Sequence, residues 1–307
     1  MKWTKWFSAV MLFFILTACQ ANETKEVAEQ QEDLAYSVVD DAGNEVTFEK
    51  VPEKVISLQP SNTEILFSLG SGDKVIGATE YDNYPEEAQS IERVSDSVNI
   101  NAEQIIDLKP DVVFAYTIGQ KEQLKPLEDS GITVFVIESA LSFDDVYGDI
   151  EQIAAVMGEE EKGDEIIDGI QKQLKEVEEK IASVDEKKKV YFEISPAPDI
   201  YTTGKNTFQQ EVMNKAGVEN IFADMEGWIK LSEEEIIDRN PELITTTVGY
   251  VENPVEEILS RKGWNQISAV EAEEVKLLDS DIMSRPGPRI GEAVEILAEA
   301  AYPELFN

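Results

Sequence analysis

The chain has 307 residues, with 26 Lys+Arg against 63 Asp+Glu, no His, one Cys and a formal net charge of −37. With 42% hydrophobic and 29% charged residues it can bury a core, and at this length a core usually divides, which predicts two similar lobes. The missing imidazole removes His-ligated zinc, His general-base catalysis and His pH switching, the carboxylate excess makes nucleic acid a poor partner, and a lone Cys forbids an internal disulfide.

Lys2 and Lys5 precede an uncharged, mostly apolar stretch from Phe7 to Ala18. It is too short to cross a hydrocarbon core of about 30 Å, so residues 1–18 read as a secretory signal. The stretch ends Leu16-Thr17-Ala18-Cys19, which resembles the lipobox of bacterial lipoproteins in residue type, order and distance from the N-terminus. That resemblance implies cleavage before Cys19, a lipid on its thiol, and anchorage at the extracytoplasmic face of the bacterial cell membrane. The other reading is an unmodified Cys in an ordinary signal peptide. Each buried acyl CH₂ contributes about 0.8 kcal/mol, so several chains on one Cys anchor durably. Cleavage removes two Lys and no acid, leaving the mature chain more acidic still. Residues 19–35, with Glu23, Glu26, Glu29, Glu32 and Asp33 and no periodicity, read as an acidic tether reaching roughly 20 Å.

Residues 36–157 read as an N-terminal α/β lobe, residues 158–186 as a connecting helix and residues 187–307 as a C-terminal α/β lobe. Tyr36 to Val39 and Val46 to Phe48 form a predicted hairpin turning at Gly43-Asn44. The runs starting at Val55, Val75, Val112 and Thr133 then alternate with helical stretches, as βα units around a parallel sheet do. The second half repeats the rhythm with strands predicted at Val190–Ile194, Leu243–Thr246 and Val275–Leu278. Between them Ile166, Ile167, Ile170, Leu174, Val177, Ile181 and Val184 fall on one helical face. A helix from Glu159 to Val184 would run about 39 Å, enough to brace both lobes. Packing on one lobe only is equally compatible with the period.

Ile100 to Asp111 is matched 131 residues later by Leu231 to Glu242, with Glu, Ile, Ile, Asp and Pro identical in register. Asn101 or Ser232 caps a short helix, Gln104 or Glu235 takes the capping-box position, and Pro ends the helix before a strand. Glu103 and Glu234 thus occupy the first turns of equivalent helices. Taken alone, each complements its own helix dipole.

A lipobox, two βα lobes, a long connecting helix and a paired Glu resemble the substrate-binding proteins of ABC importers for ferric siderophores and cobalamin, the rigid-helix class. The local marks are Val55 to Glu64, Tyr81-Asp82-Asn83-Tyr84-Pro85, Asn101-Ala102-Glu103, Leu108-Lys109-Pro110-Asp111 and Ser284-Arg285-Pro286-Gly287-Pro288-Arg289, the last looking most like the cobalamin-binding branch. The resemblance implies two Rossmann-like βα lobes joined by one long α-helix, with a ligand cleft between them. It implies docking of Glu103 and Glu234 into Arg pockets of a permease/ATPase complex, where symmetric carboxylates fix orientation. It also implies aromatic walls from Tyr81, Tyr116, Tyr201 and Trp228, with Asp281 and Arg285 on the amide rim of a cobalt corrinoid. A further aromatic expected between Val94 and Asn101 is absent, with Ser97 in its place, and Trp would match better than Tyr116.

The residues themselves point the same way. A predicted rim of Tyr81, Tyr84, Tyr116, Tyr201, Trp228 and Tyr250 with few cations suits a large, flat, nearly neutral molecule, whereas a trianionic catecholate needs a cluster of Arg or Lys. A ferric hydroxamate siderophore is the second reading and haem, ligated by Tyr, the third. For each aromatic a purely structural role is the alternative, and Asp281 with Arg285 can be a surface salt bridge of little consequence. No Gly-rich phosphate loop, nucleophile elbow or Cys/His arrangement is present, so no enzyme, cofactor or resident metal is expected. A sensor or adhesion partner is a further class. The expected state is a monomer.

Overall fold

Short β-branched runs ended by Pro, Gly and Asp turns build three sheets, the first a two-stranded hairpin, in the computed structural model, which describes residues 35–96, 98–116 and 121–306. The first half contains β1 (Tyr36–Val39), β2 (Glu45–Phe48), β3 (Val55–Ser57), α1 (Pro60–Ser68), β4 (Val75–Thr79), β5 (Arg93–Ser95), α2 (Ala102–Leu108), β6 (Val112–Tyr116), α3 (Lys121–Asp129), β7 (Val134–Ile137) and α4 (Phe143–Met157). Then come α5 (Glu160–Ile181), β8 (Lys189–Ser195), β9 (Tyr201–Thr203), α6 (Phe208–Lys215), β10 (Glu219–Asn220), β11 (Trp228–Lys230) and α7 (Glu233–Arg239). The chain ends with β12 (Leu243–Thr246), α8 (Pro254–Leu259), α9 (Ser268–Glu271), β13 (Val275–Leu277), α10 (Ser280–Ser284) and α11 (Ile290–Ala301).

The N-terminal sheet is parallel throughout, in the order β5-β4-β3-β6-β7. Its strands are covered on both faces, so successive residues enter different cores: Val112 and Phe114 one, Val113 and Ala115 the other. The C-terminal sheet has the order β11-β9-β8-β12-β13, with the short β10 beside the start of β8. Here the expectation of two alike halves is corrected. β9 runs antiparallel to β8 and β11 antiparallel to β9, so a ribbon replaces one βα unit. Three-residue strands carry too few side chains to show a period.

The connecting helix packs against α4 on one side and α11 on the other. Ile167, Ile170 and Val177 are buried and the other four predicted positions pack beside them, in a core that continues from Phe48 and Phe135 to Val294 and Leu297. Gly163 lets α5 approach α4, because a Cβ there would stand 2.8 Å from that of Ala154. The helix is 22 residues, about 33 Å, and thus shorter than expected. Val184 turns back onto Ile181 through an i−3 hydrogen bond of 3.0 Å and reaches the core from outside the helix.

The repeat persists in three dimensions. Asn101 and Ser232 cap α2 and α7, Lys109 and Asn240 end them in the left-handed region before Pro110 and Pro241, and the next strands, β6 and β12, lie beside β3 and β8. Asp111 N and Glu242 N each donate 2.8 Å to the carbonyls of Lys54 and Lys189, whose own N–H groups donate back to the two carboxylates at 2.9 Å. Of these two helices α7 alone closes its capping box, between Ser232 and Glu235. In α2 the Gln104 amide accepts from the Asn101 side chain at 2.9 Å and donates to Glu92 at 2.7 Å, so it does not return to the cap backbone.

Candidate functional site

The carboxyl edges of the two sheets meet across a floor of specific contacts. After β3 the chain enters α1 with Pro60 at its first turn, so Pro60 to Glu64 is helix. This turns Glu64 into the protein, where its side chain is 2% exposed. Three N–H groups from the other lobe donate to it: Arg285 Nη1 at 3.0 Å, Arg289 Nε at 2.8 Å and Arg289 Nη2 at 2.6 Å. Arg285 also donates to Asn83 Oδ1 at 2.8 Å and to the Tyr81 carbonyl at 2.9 Å, and pairs with Asp281 at 2.9 Å. Asn83 Nδ2 closes the ring by donating to Asp281 Oδ2 at 2.7 Å. The Arg289 guanidinium stacks over Tyr84, 4.1 Å from the ring centroid. Burial alone would lower the Arg289 pKa; the Glu64 carboxylate outweighs it and raises the value. Farther along, Phe143 and Phe208 pack with centroids 6.0 Å apart, and Phe143 N donates 2.8 Å to Glu211.

Several large aromatics are left exposed. Among the described residues Tyr81, Tyr84, Tyr201, Trp228 and Tyr250 are all more than a third exposed, an unusual use of large apolar area unless something covers it. Tyr81 and Tyr84 follow β4, Tyr250 follows β12, and Tyr201 pairs with Ser195 at the carboxyl end of β8, where open α/β sheets bind ligands. Trp228 opposes Thr203 and Lys230 opposes Tyr201, so all four side chains leave the ribbon on one face, with Tyr201 and Trp228 as diagonal neighbours. Lys230 is ion-paired with Asp199, which neutralises the cation that shares this face with the two rings. Tyr116, the last residue of β6, is half-buried; burial raises its phenol pKa, opposed by a hydrogen bond to Ser139, with the charge of Asp149 adding to the rise.

The structure therefore joins Tyr81, Asp281 and Arg285 in one network and sets Tyr201 and Trp228 on one shelf. Among the described residues no hydrogen bond, ion pair or ring contact links that network to the shelf, or Tyr116 to either. Arg285 stands inward of the rim that the sequence suggested, 10% exposed and committed to Glu64, while Asp281 stays at the rim, 37% exposed. Sequence reasoning missed the parts played by Glu64, Asn83 and Arg289, although all three lie inside the quoted motifs. Cys19 and Ser97 lie outside the described residues.

Glu103 and Glu234 are exposed in the first turns of α2 and α7. In α7 each neighbouring acid is used internally, Glu235 in the capping box and Glu233 as acceptor from Trp264 Nε1 at 2.7 Å. Among the described residues Glu103 and Glu234 have no hydrogen-bonding or ion-pairing partner, so both charges face solvent unspent.

No helix among the described residues is long and apolar enough to cross a membrane, and no group of three or more acidic or Cys side chains among them is arranged to hold a metal ion. The family described as "Periplasmic binding protein" matches residues 55–282. An ABC transporter substrate-binding lipoprotein of Bacillus subtilis, YvrC, is 41% identical over 98% of each chain. A vitamin B12-binding protein of Vibrio cholerae is 31% identical over 79% of this chain and 87% of its own. A crystal structure from Staphylococcus epidermidis, described as a possible iron-binding (periplasmic solute-binding) protein, is 34% identical and superposes with a TM-score of 0.75, covering 82% of this chain and all of that one.

Proposed function

We infer from the cleft of this chain, which belongs to the periplasmic binding protein family and is a solute-binding protein rather than an enzyme, that it captures cobalamin or a related corrinoid and hands it to an ABC permease. The observation that carries the ligand class is the pairing of exposed rings with neutralised cations. Tyr81, Tyr84, Tyr201, Trp228 and Tyr250 offer ring faces, whereas Arg285, Arg289 and Lys230 are each already matched by a carboxylate. Such a rim gains area from a broad uncharged disc at low entropy cost and offers little to a polyanion. The V. cholerae relative, named for vitamin B12, supports the same choice.

Glu103 and Glu234 serve as the two docking charges for the permease complex, since they repeat across the lobes and neither is used internally. Cys19 carries the lipid that holds the protein at the extracytoplasmic face of the membrane, a reading supported by the lipoprotein name of the B. subtilis relative. A ferric hydroxamate siderophore is the second reading, favoured by the S. epidermidis structure described as possibly iron-binding in function. Native mass spectrometry of the protein isolated from its own cells separates the two. A co-purifying corrinoid mass supports the first reading, and an iron-hydroxamate mass overturns it in favour of the second.

A further inference from the structure

Glu64 has two cationic partners where one suffices, and they hold it differently. Arg289 takes both carboxylate oxygens, through Nε and Nη2; its guanidinium makes no other hydrogen bond among the described residues and is covered by the Tyr84 ring. Arg285 gives Glu64 a single N–H, from Nη1, and shares that nitrogen with Asn83. Its Nη2 serves the Tyr81 carbonyl and Asp281. Three of its four acceptors therefore belong to the exposed lip of the cleft, and only one to the buried floor.

We propose that Arg289 is the standing counter-ion of Glu64 and Arg285 the exchangeable one, so that Arg289 frees Arg285 to leave the carboxylate and turn its guanidinium to polar acceptors on the bound ligand. The proposal rests on the reading of this cleft as the ligand slot. A buried carboxylate stripped of its partner is costly, while one that keeps a bidentate guanidinium stays neutralised. With Arg289 in place, the departure of Arg285 exchanges one N–H for another. Without Arg289, Arg285 becomes the sole counter-ion of Glu64 and is held there. Arg289 is thus a positioning residue: it acts on the ligand only through Arg285.

The test uses the full-length protein in detergent, with cyanocobalamin as probe. R289Q should weaken binding about tenfold or more, close to the loss from R285Q. Adding E64Q to R289Q should restore affinity to within about threefold of the parent, because no buried carboxylate remains to retain Arg285. A double variant that binds no better than R289Q overturns the proposal, since a merely structural Arg289 predicts that result. R289K, which keeps the charge but loses the fork, should fall between and serves if R289Q does not fold. Without ligand, R289Q should lower Tm by more than R285Q; equal losses, or the reverse order, also overturn it. Absence of cyanocobalamin binding by the unaltered protein contradicts the corrinoid reading, and the Tm comparison then decides the two Arg roles separately.

Discussion

Arg289 places Nε 2.8 Å and Nη2 2.6 Å from the two carboxylate oxygens of Glu64, tying together residues 225 positions apart. The contact joins α1 of one lobe to the segment leading into α11 of the other, at the base of the cleft. Glu64→Ala leaves two guanidinium groups without their buried partner and should cost about 3–5 kcal/mol in urea unfolding. A loss below about 1 kcal/mol would show that water replaces the pair and that it does not hold the lobes together.

Trp228 has half its surface in solvent at the start of β11, so replacing it should touch ligand more than fold. Trp228→Ala is expected to weaken corrinoid binding by about 1–2 kcal/mol with Tm nearly unchanged. Calorimetric titration alongside thermal unfolding checks this. Undiminished affinity would remove the β9–β11 shelf from the site.

Glu103 and Glu234 are separable from binding. The double variant Glu103→Ala, Glu234→Ala should abolish corrinoid uptake in cells while the purified protein keeps its affinity. Normal uptake would return both carboxylates to the role of complementing their helix dipoles.

Asp149, on α4 and 6% exposed, gives the protein a pH signature. Burial first, then the charges of Asp41 and Asp145, push its carboxyl up to about 8. Between about pH 4 and that value the folded protein holds a proton that the unfolded chain has released, so stability falls as pH rises and levels off above it. Glu193 and Glu211 are raised as well, each mainly by burial, and add to the same slope. Asp149→Asn should flatten the fall by up to about 1.4 kcal/mol per pH unit across that window and leave the protein more stable at its alkaline end. Denaturation curves of the two proteins with parallel pH dependence would contradict this.

Much of the architecture is legible along the chain because it is local or repeated. The connecting helix announces itself through six apolar positions on one face, with Val184 continuing the pattern just past its end, and the Asn101 and Ser232 segments through identical residues in register. What stays hidden is the meeting of distant groups. Nothing near Glu64 in sequence marks it as the acceptor for Arg285 and Arg289, which stand 221 and 225 positions away. Tyr201 and Trp228 stand on strands of three residues, below the length at which alternation can be read, so their common face follows only from the ribbon pairing. Gln104 shows the opposite error: a sound capping pattern is overridden by the nearby Glu92 carboxylate.

The most direct measurement is a fluorescence titration of the full-length protein with cyanocobalamin, run beside ferrioxamine B and repeated on Trp228→Phe. Saturable one-to-one quenching by the corrinoid alone, largely lost in the variant, is the expected result; saturation by ferrioxamine B instead, or quenching unaltered in Trp228→Phe, would contradict a cleft that holds a neutral disc between aromatic faces.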